Sequence, residues 1–507
     1  MKQIINYSFL LTIVLFASSC DKGFDDLNTN KVNPTSIDPL YKLNNAVVNA
    51  SFPGNSTLAY DMGVAQQIIT PNNGVLNGAN FNSDNRGSTQ VIWQNYYRNV
   101  IRNTNDVIVN TKSDATRANL YQMARIFQAY AYMVLTDEYG SIPYTEGGKG
   151  YTDQNFFPVY DAQQLIYTDI IKELGEAATA LNASGKIETG DVLYGGNIAQ
   201  WKKFAYSLML RAGMRLSKAD AAKAQSTVQA AFAGGVILAN ADNALIRHDA
   251  NYTNPIGFTL NATEAANFYL TKPFVDSLKN RNDPRLRAIA VRYAGATSGG
   301  TQTTASRTTD PAQQFGLPLG FDNNTANTYA TSVGRASFYD FSQADRTRIA
   351  KQTAPCFLVT AAQTQLLLAE ARQRGWITAG TVQGYYDAGV TLHMQQMATF
   401  DAGSAIAAGD ITTYLTSNPF DAARALEQIG TQYWIASFLN GPEAFANYRR
   451  TGFPALAPNP YPGKEVDFVR RLTYPNSEQS VNQTNFNAAI ASQGPDKLDT
   501  RVWWDKP

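Results

Sequence analysis

Residues 427–456 read EQIGTQYWIASFLNGPEAFANYRRTGFPAL, and a proline-rich passage then leads to RRLTYPNSE at 470–478. Leu426, Ile429, Tyr433 and Ala436 recur at three- and four-residue steps, with Trp434, Ile435 and Phe438 between them. A helix apolar on most sides is a buried helix. Asn440-Gly441 is expected to end it, with Gly441 in the left-handed conformation. Pro442 suits the first turn of a second helix, whose last turn carries Arg449 and Arg450 before Gly452. Pro458, Pro460 and Pro462 keep the following passage extended.

Working outward, helical periodicity returns in consecutive segments. Val91–Asn110 turns Trp93, Tyr96, Tyr97, Val100 and Val107 inward, and Leu120, Met123, Phe127, Tyr130 and Val134 make one face of the next helix. Asp161 is placed to cap a third, with Gln164 completing the box. Asn197 starts a fourth. Val359–Arg374 and Val382–Met397 form a later pair. Between Ala288 and Lys351 the pattern fails, and Thr-, Ser- and Gly-rich runs alternate with aromatics. The fold class expected is mainly α, a scaffold of helix pairs at about 41–235 and 356–440. A loop-rich lobe with few short strands covers about 236–355 and 441–507. No 34-residue tetratricopeptide period appears in the residues.

NGPEAFANYRRTGFPAL at 440–456, RRLTYPNSEQSVNQTNF at 470–486 and the terminal RVWWD at 501–505 together resemble the C-terminal signature of the SusD/RagB family. These are nutrient-binding lipoproteins of the bacterial outer membrane. DEYGSIPYTE at 137–146 and AEARQRGWI at 369–377 follow the family's order. The resemblance spans nearly the whole chain. It implies tetratricopeptide-like helix pairs, no cofactor, and a non-catalytic role. It also implies a partner, a SusC-like TonB-dependent transporter to which an oligosaccharide or peptide is delivered. Ligand contacts in the family sit on loops in two parts of the chain.

The N-terminus agrees. Lys2, an apolar run from Ile4 to Phe16, and Ala17-Ser18-Ser19-Cys20 are expected to form a lipoprotein signal over 1–19, with lipid on Cys20. Residues 20–40 read as an acidic, turn-rich tether, and 41–507 as the nutrient-binding domain. The lipid anchor would then hold the protein at the outer membrane, facing the cell exterior.

Lys plus Arg is 42 against 41 acidic residues, so nothing attracts nucleic acid. Only 16% of residues are charged, while there are 27 tyrosines, which suits a neutral polar ligand. Two histidines, His248 and His393, cannot build a histidine zinc centre. Cys356 is left unpaired among apolar neighbours and reads as a small buried hydrophobe. Asp137-Glu138 reads as a helix-ending pair rather than the facing carboxylates of glycoside hydrolysis. Asp322-Asn323-Asn324 lacks the twelve-residue calcium loop, so no metal is expected. Arg449-Arg450 and Arg470-Arg471 are expected to sit half-buried against carboxylates such as Glu427 or Glu443, and Trp503-Trp504 to plug the core.

What remains is two aromatic, amide-rich loops. A sugar presents an apolar ring face for stacking and a hydroxyl rim for amides and charged groups. Phe81, Asn82, Arg86, Trp93 and Tyr96 are the candidates from 71–96, a long loop and the helix after it. Phe321, Tyr329, Phe338 and Tyr339 are those from the second. At helical spacing, Trp93 and Tyr96 equally suit a core. Two other classes stay open: a surface glycan hydrolase, and a tethered module that binds protein.

Overall fold

The computed structural model describes residues 37–507; the signal segment, Cys20 and most of the tether lie outside them. Consecutive helices pack in pairs. Ala118–Tyr139 lies against Gln163–Ala180, which lies against Ile198–Arg215, and that against Ala221–Gly234. Ala361–Gln373 then joins Ile198–Arg215 to Val382–Phe400 and to Ala425–Ala436. Strand is sparse among the described residues: three small antiparallel sheets, of which Ala244–Ile246 with Cys356–Val359 ties the middle of the chain to the helical body. Among the described residues no helix is long and apolar enough to cross a membrane.

The decisive stretch folds into Ala425–Ala436 and Gly441–Thr451, and both are buried. The turn between them differs from the expectation in one respect. Leu439 takes the left-handed conformation, at φ 68°, and Asn440 caps the second helix by accepting from the Glu443 amide at 3.2 Å. Gly441 is needed for space instead, since a Cβ there would lie 2.7 Å from that of Asp61. Gly452 ends the second helix at φ 77°, as its position suggested. Asp161 is also reassigned. The Gln163–Ala180 helix begins behind Ala162, and Asp161 turns back to accept from the amides of Tyr144 and Thr145. Asn197 does cap the Ile198–Arg215 helix.

Arg449, Arg450 and Arg471 are deeper than expected, Arg470 is half-buried as expected, and their partners are other than Glu427 and Glu443. Arg450 is buried and grips Glu370 with two bonds, at 2.7 and 2.6 Å. Burial alone would raise the Glu370 carboxyl, but Arg450 and Arg374 outweigh it and bring it down to about 2. Glu443 accepts from Tyr433 Oη at 2.6 Å and faces Arg215 and Arg211. Arg449 serves backbone carbonyls of Asp137 and Arg470, and its guanidinium lies over Phe445 and Trp504. Glu427 is elsewhere, paired at the surface with Arg424. Asp137 collects Trp504 Nε1 at 2.9 Å, Arg215 Nε at 3.1 Å and the Tyr167 hydroxyl, so DEYG, YRR and VWWD meet in one knot. Trp504 is the core plug; Trp503 is only partly buried.

A second, smaller core forms around Ile69, Tyr269, Leu317, Leu319, Phe338 and Phe341. Residues 236–355 are built on it and on the main core from short helices and strands. Cys356 is buried on the main core, and burial pushes its thiol up to about 12.

Candidate functional site

The two candidate loops do come together. Asn80 Nδ2 donates to the carbonyls of Thr70 and Phe321, at 2.8 and 2.9 Å, while its Oδ1 accepts from Gly320 N at 2.8 Å. A third segment, missed in the sequence, closes the seam: Asn459 Nδ2 reaches the Asn80 carbonyl at 2.8 Å, and Tyr461 meets the Phe81 ring at 4.7 Å between centroids.

That seam buries most of what was nominated for it. Phe81 is 3% exposed, and Asn82 donates to the carbonyls of Val466 and Asp467. Trp93 sits among Tyr97, Tyr139, Tyr160 and Tyr474, and Tyr96 donates from inside the fold to the Ala50 carbonyl at 2.8 Å. Phe338 belongs to the small core. Arg86 is held by Asp84 at 3.0 Å and Asp496 at 2.6 Å. Phe81, Asn82 and Arg86 hold the first loop in place, because a loop lacking regular backbone bonds gets its rigidity from side chains, while Trp93, Tyr96 and Phe338 are core residues. Phe321, Tyr329 and Tyr339 stay half-exposed. Phe321 and Tyr329 lie 5.0 Å apart, beside the exposed amides of Asn323, Asn324 and Asn327. Asp322 is the N-cap of Asn323–Ser332, accepting from the amides of Asn324 and Thr325.

A better-formed site lies elsewhere. A groove of about 400 Å³ opens between the end of helix Pro39–Asn49, the exposed side of helix Arg86–Asn95, and the turn at 248–255. Asn49, Ser51, Val91, Asn95, His248 and Tyr252 carry its shape, and among the described residues no Lys, Arg, Asp or Glu lines it. Other grooves of similar size are charged, such as the one between Lys464, Asp467, Arg470 and Asp499.

The groove is rigid for local reasons. Asp249 Oδ1 accepts from the amides of Asn251 and Tyr252, at 2.7 and 2.9 Å, which makes a tight Asx turn. Those two amides hold the Asp249 carboxyl below its usual value. His248 Nδ1 lies 2.8 Å from the Tyr252 carbonyl, so it must carry the proton and donate. Nε2 then accepts from Ser51 Oγ at 2.9 Å. Burial lowers the imidazole below its ordinary value, consistent with a neutral ring. Asn254 caps the helix Pro255–Asn261, with Pro255 in its first turn. Asn95 Nδ2 donates to the Asn49 carbonyl at 2.8 Å and fixes the opposite wall.

Tyr252 is the result: a ring 64% exposed on a turn pinned at three points. Its face is free to stack, with the amides of Asn251 and Asn95 and the Ser51–His248 pair around it. The sequence signal was NYTNP at 251–255, an aromatic inside a turn, but its partners are some 200 residues upstream.

The family model described as starch-binding, associating with outer membrane, matches residues 31–475. No curated protein matches. Among solved structures, one named as a chitin-binding protein superposes with a TM-score of 0.81 at 29% identity, covering 93% of this chain and all of its own. A SusD-like protein from Bacteroidetes gives 0.82 at 26%, with the same coverage. A chitin-binding SusD homolog from Flavobacterium johnsoniae gives 0.76 at 24%, covering 92% and 98%, and shares the fold. The chain belongs to the SusD-like family.

Proposed function

We propose that this SusD-like protein captures a neutral oligosaccharide at the Tyr252 groove and passes it to a TonB-dependent transporter, while lipid on Cys20 holds it at the outer membrane. The observation that carries the reading is the uncharged groove with one preorganised, exposed tyrosine. A neutral sugar has no charge for a wall to neutralise, and a charged wall would lose hydration for nothing in return. An aromatic ring needs only the apolar face of a pyranose. The absence of a carboxylate from this wall favours binding over hydrolysis there, because hydrolysis needs a facing acid and base. Starch and chitin, named for the family and for two of the related structures, supply the first ligands to try. Chitin oligomers come first, because an acetamido group matches the Asn95 and Asn251 amides and its methyl the Val91 side chain.

Calorimetric titration with N-acetylchitooligosaccharides, maltooligosaccharides and an uncharged peptide series tests this. Saturable binding to one glycan series, lost in Tyr252→Ala, is expected. Binding to peptide alone would sink the glycan reading. The seam at Phe321 and Tyr329 is the second reading, favoured by its two half-exposed rings and neighbouring amides. It predicts that Phe321→Ala, and not Tyr252→Ala, abolishes the titration.

A further inference from the structure

Away from the Tyr252 groove, one half-buried ring has three cations around it. Lys279 Nζ lies 4.3 Å from the centroid of Phe315, the guanidinium carbon of Arg335 4.1 Å and that of Arg292 5.2 Å. They arrive from separate segments. Lys279 ends the helix Lys272–Lys279, Arg292 belongs to the strand Ala290–Tyr293, and Arg335 follows Gly334, whose φ of 70° turns the chain after the helix Asn323–Ser332.

The fold uses two of the three. Arg292 holds Asp340 through Nε at 2.9 Å and Nη2 at 2.7 Å, and its Nη1 donates to the Gln313 carbonyl at 3.3 Å. Lys279 Nζ donates to the carbonyls of Ala312 and Gln314, at 2.8 and 2.9 Å, which leaves one of its three protons. Arg335 has no such role. Its Nε is buried without a hydrogen-bond partner, and among the described residues no carboxylate pairs with its guanidinium. The nearby carboxylates are committed: Asp276 to Lys272, Asp310 to the amide of Ala312 at 3.0 Å, and the second oxygen of Asp340 to the amide of Ala336 at 3.2 Å.

Stacking on Phe315 does not by itself explain the arrangement. A ring face attracts a cation weakly when water is near, and three like charges around one ring repel each other. Less than about 9 Å separates Lys279 from Arg335, since both lie within 4.3 Å of one point, and that is inside the screening length of about 10 Å at 0.1 M salt. The strain is visible in titration. Burial holds the Lys279 ammonium below its usual value; Asp276 opposes this, and Arg335 and Arg292 add to it. Burial also lowers Arg292, against Asp340 and with help from Arg335.

The geometry points to an oxyanion site at Phe315, anchored by Arg335 with Lys279 beside it, which takes a carboxylate or sulfate group carried on a saccharide or free in solution. The planar fork of a guanidinium matches two oxygens of such a group at once. Arg292 stays with Asp340 and contributes only its field. The frame is fixed before a ligand arrives: Phe315 N donates to Ser342 Oγ at 2.9 Å, and Arg335 N to the Ala330 carbonyl at 2.8 Å. Preorganised donors lose little ordering entropy on binding. None of these residues lines the Tyr252 groove, so this site and the neutral-glycan reading stand or fall separately.

The test is calorimetric titration of the purified protein with trigalacturonate, its neutral counterpart galactotriose, and sodium sulfate against chloride at matched ionic strength. Saturable binding of trigalacturonate is expected, weakened about tenfold or more in Arg335→Gln and less in Arg335→Lys, which keeps the charge and loses the fork. Binding of N-acetylchitooligosaccharides should be the same in both variants as in wild type. Competition by sulfate would extend the site to free oxyanions; binding of trigalacturonate alone would restrict it to acidic saccharides. Failure of both to bind, equal binding of galactotriose and trigalacturonate, or trigalacturonate binding unchanged in Arg335→Gln would each overturn the site. Should Arg335→Gln melt early, Lys279→Gln decides: a trigalacturonate-induced rise in melting temperature equal to that of wild type overturns the proposal, and a smaller rise upholds it.

Discussion

The C-terminal knot and the Tyr252 groove use polar groups in opposite ways. In the knot, Arg215, Arg449 and Arg450 are buried with carboxylates or carbonyls aimed at them. In the groove every wall residue is uncharged, and the side chains are fixed by neutral hydrogen bonds. Buried charge demands partners and thereby fixes which segments meet; an uncharged exposed wall demands none and stays available to a ligand. Damage to the first should be read in stability, and damage to the second in binding.

The largest effect expected is therefore in the knot. Arg450→Ala leaves Glu370 buried with Arg374 as its remaining cation, and should cost about 3–5 kcal/mol of unfolding free energy in denaturant titration. A loss below about 1 kcal/mol would show that the pair contributes little net stability and erase the contrast.

Next comes a pH effect beside the knot. Asp61 and Glu138 are fully buried, and among the described residues the carboxyl oxygens of Glu138 have no hydrogen-bond partner. Burial raises the Asp61 carboxyl to about 8, with Thr57 and Arg449 pulling the other way; burial also raises Glu138 well above its usual value. A raised folded value means the folded state holds the proton. That contribution is complete below the unfolded value near 4 and is lost as pH rises through about 8. Stability should fall over this range with a slope approaching about 1.4 kcal/mol per pH unit for one proton. Asp61→Asn should flatten it. Glu370 runs the other way: its lowered value gives stability that is present above about 4.5 and lost as pH falls through about 2. An unchanged slope between about pH 4 and 8 in Asp61→Asn would remove the carboxyl from the account.

A smaller effect belongs to the groove. Tyr252→Ala should weaken glycan binding by about 1–3 kcal/mol, the scale of a stacking anchor, and leave the melting temperature alone. A variant that melts early would move Tyr252 to the knot's side of the comparison. Smallest of all, glycan affinity should be nearly flat from about 50 to 500 mM salt, because no formal charge lines the wall. A steep decline would mean an acidic ligand held elsewhere, with the charged groove at Lys464 and Arg470 the place to look.

The sequence by itself determined the helical pairs and the buried C-terminal hairpin of helices. Apolar spacing at 3.6 residues, Asn197 as a cap and Gly452 as a stop are local properties, and the structure keeps them. It did not settle the partners of the arginines, because ion pairs such as Arg450–Glu370 join residues far apart in the chain. Nor did it settle which aromatics face water. Phe81 and Tyr252 both sit in Asn-rich turns, yet Tyr461 covers the first, and the second stays exposed among the described residues. Composition tells what a side chain prefers, but exposure depends on which distant segment arrives above it. Only the tertiary structure decides that, since burying a ring needs a partner surface and leaving it exposed needs the lack of one.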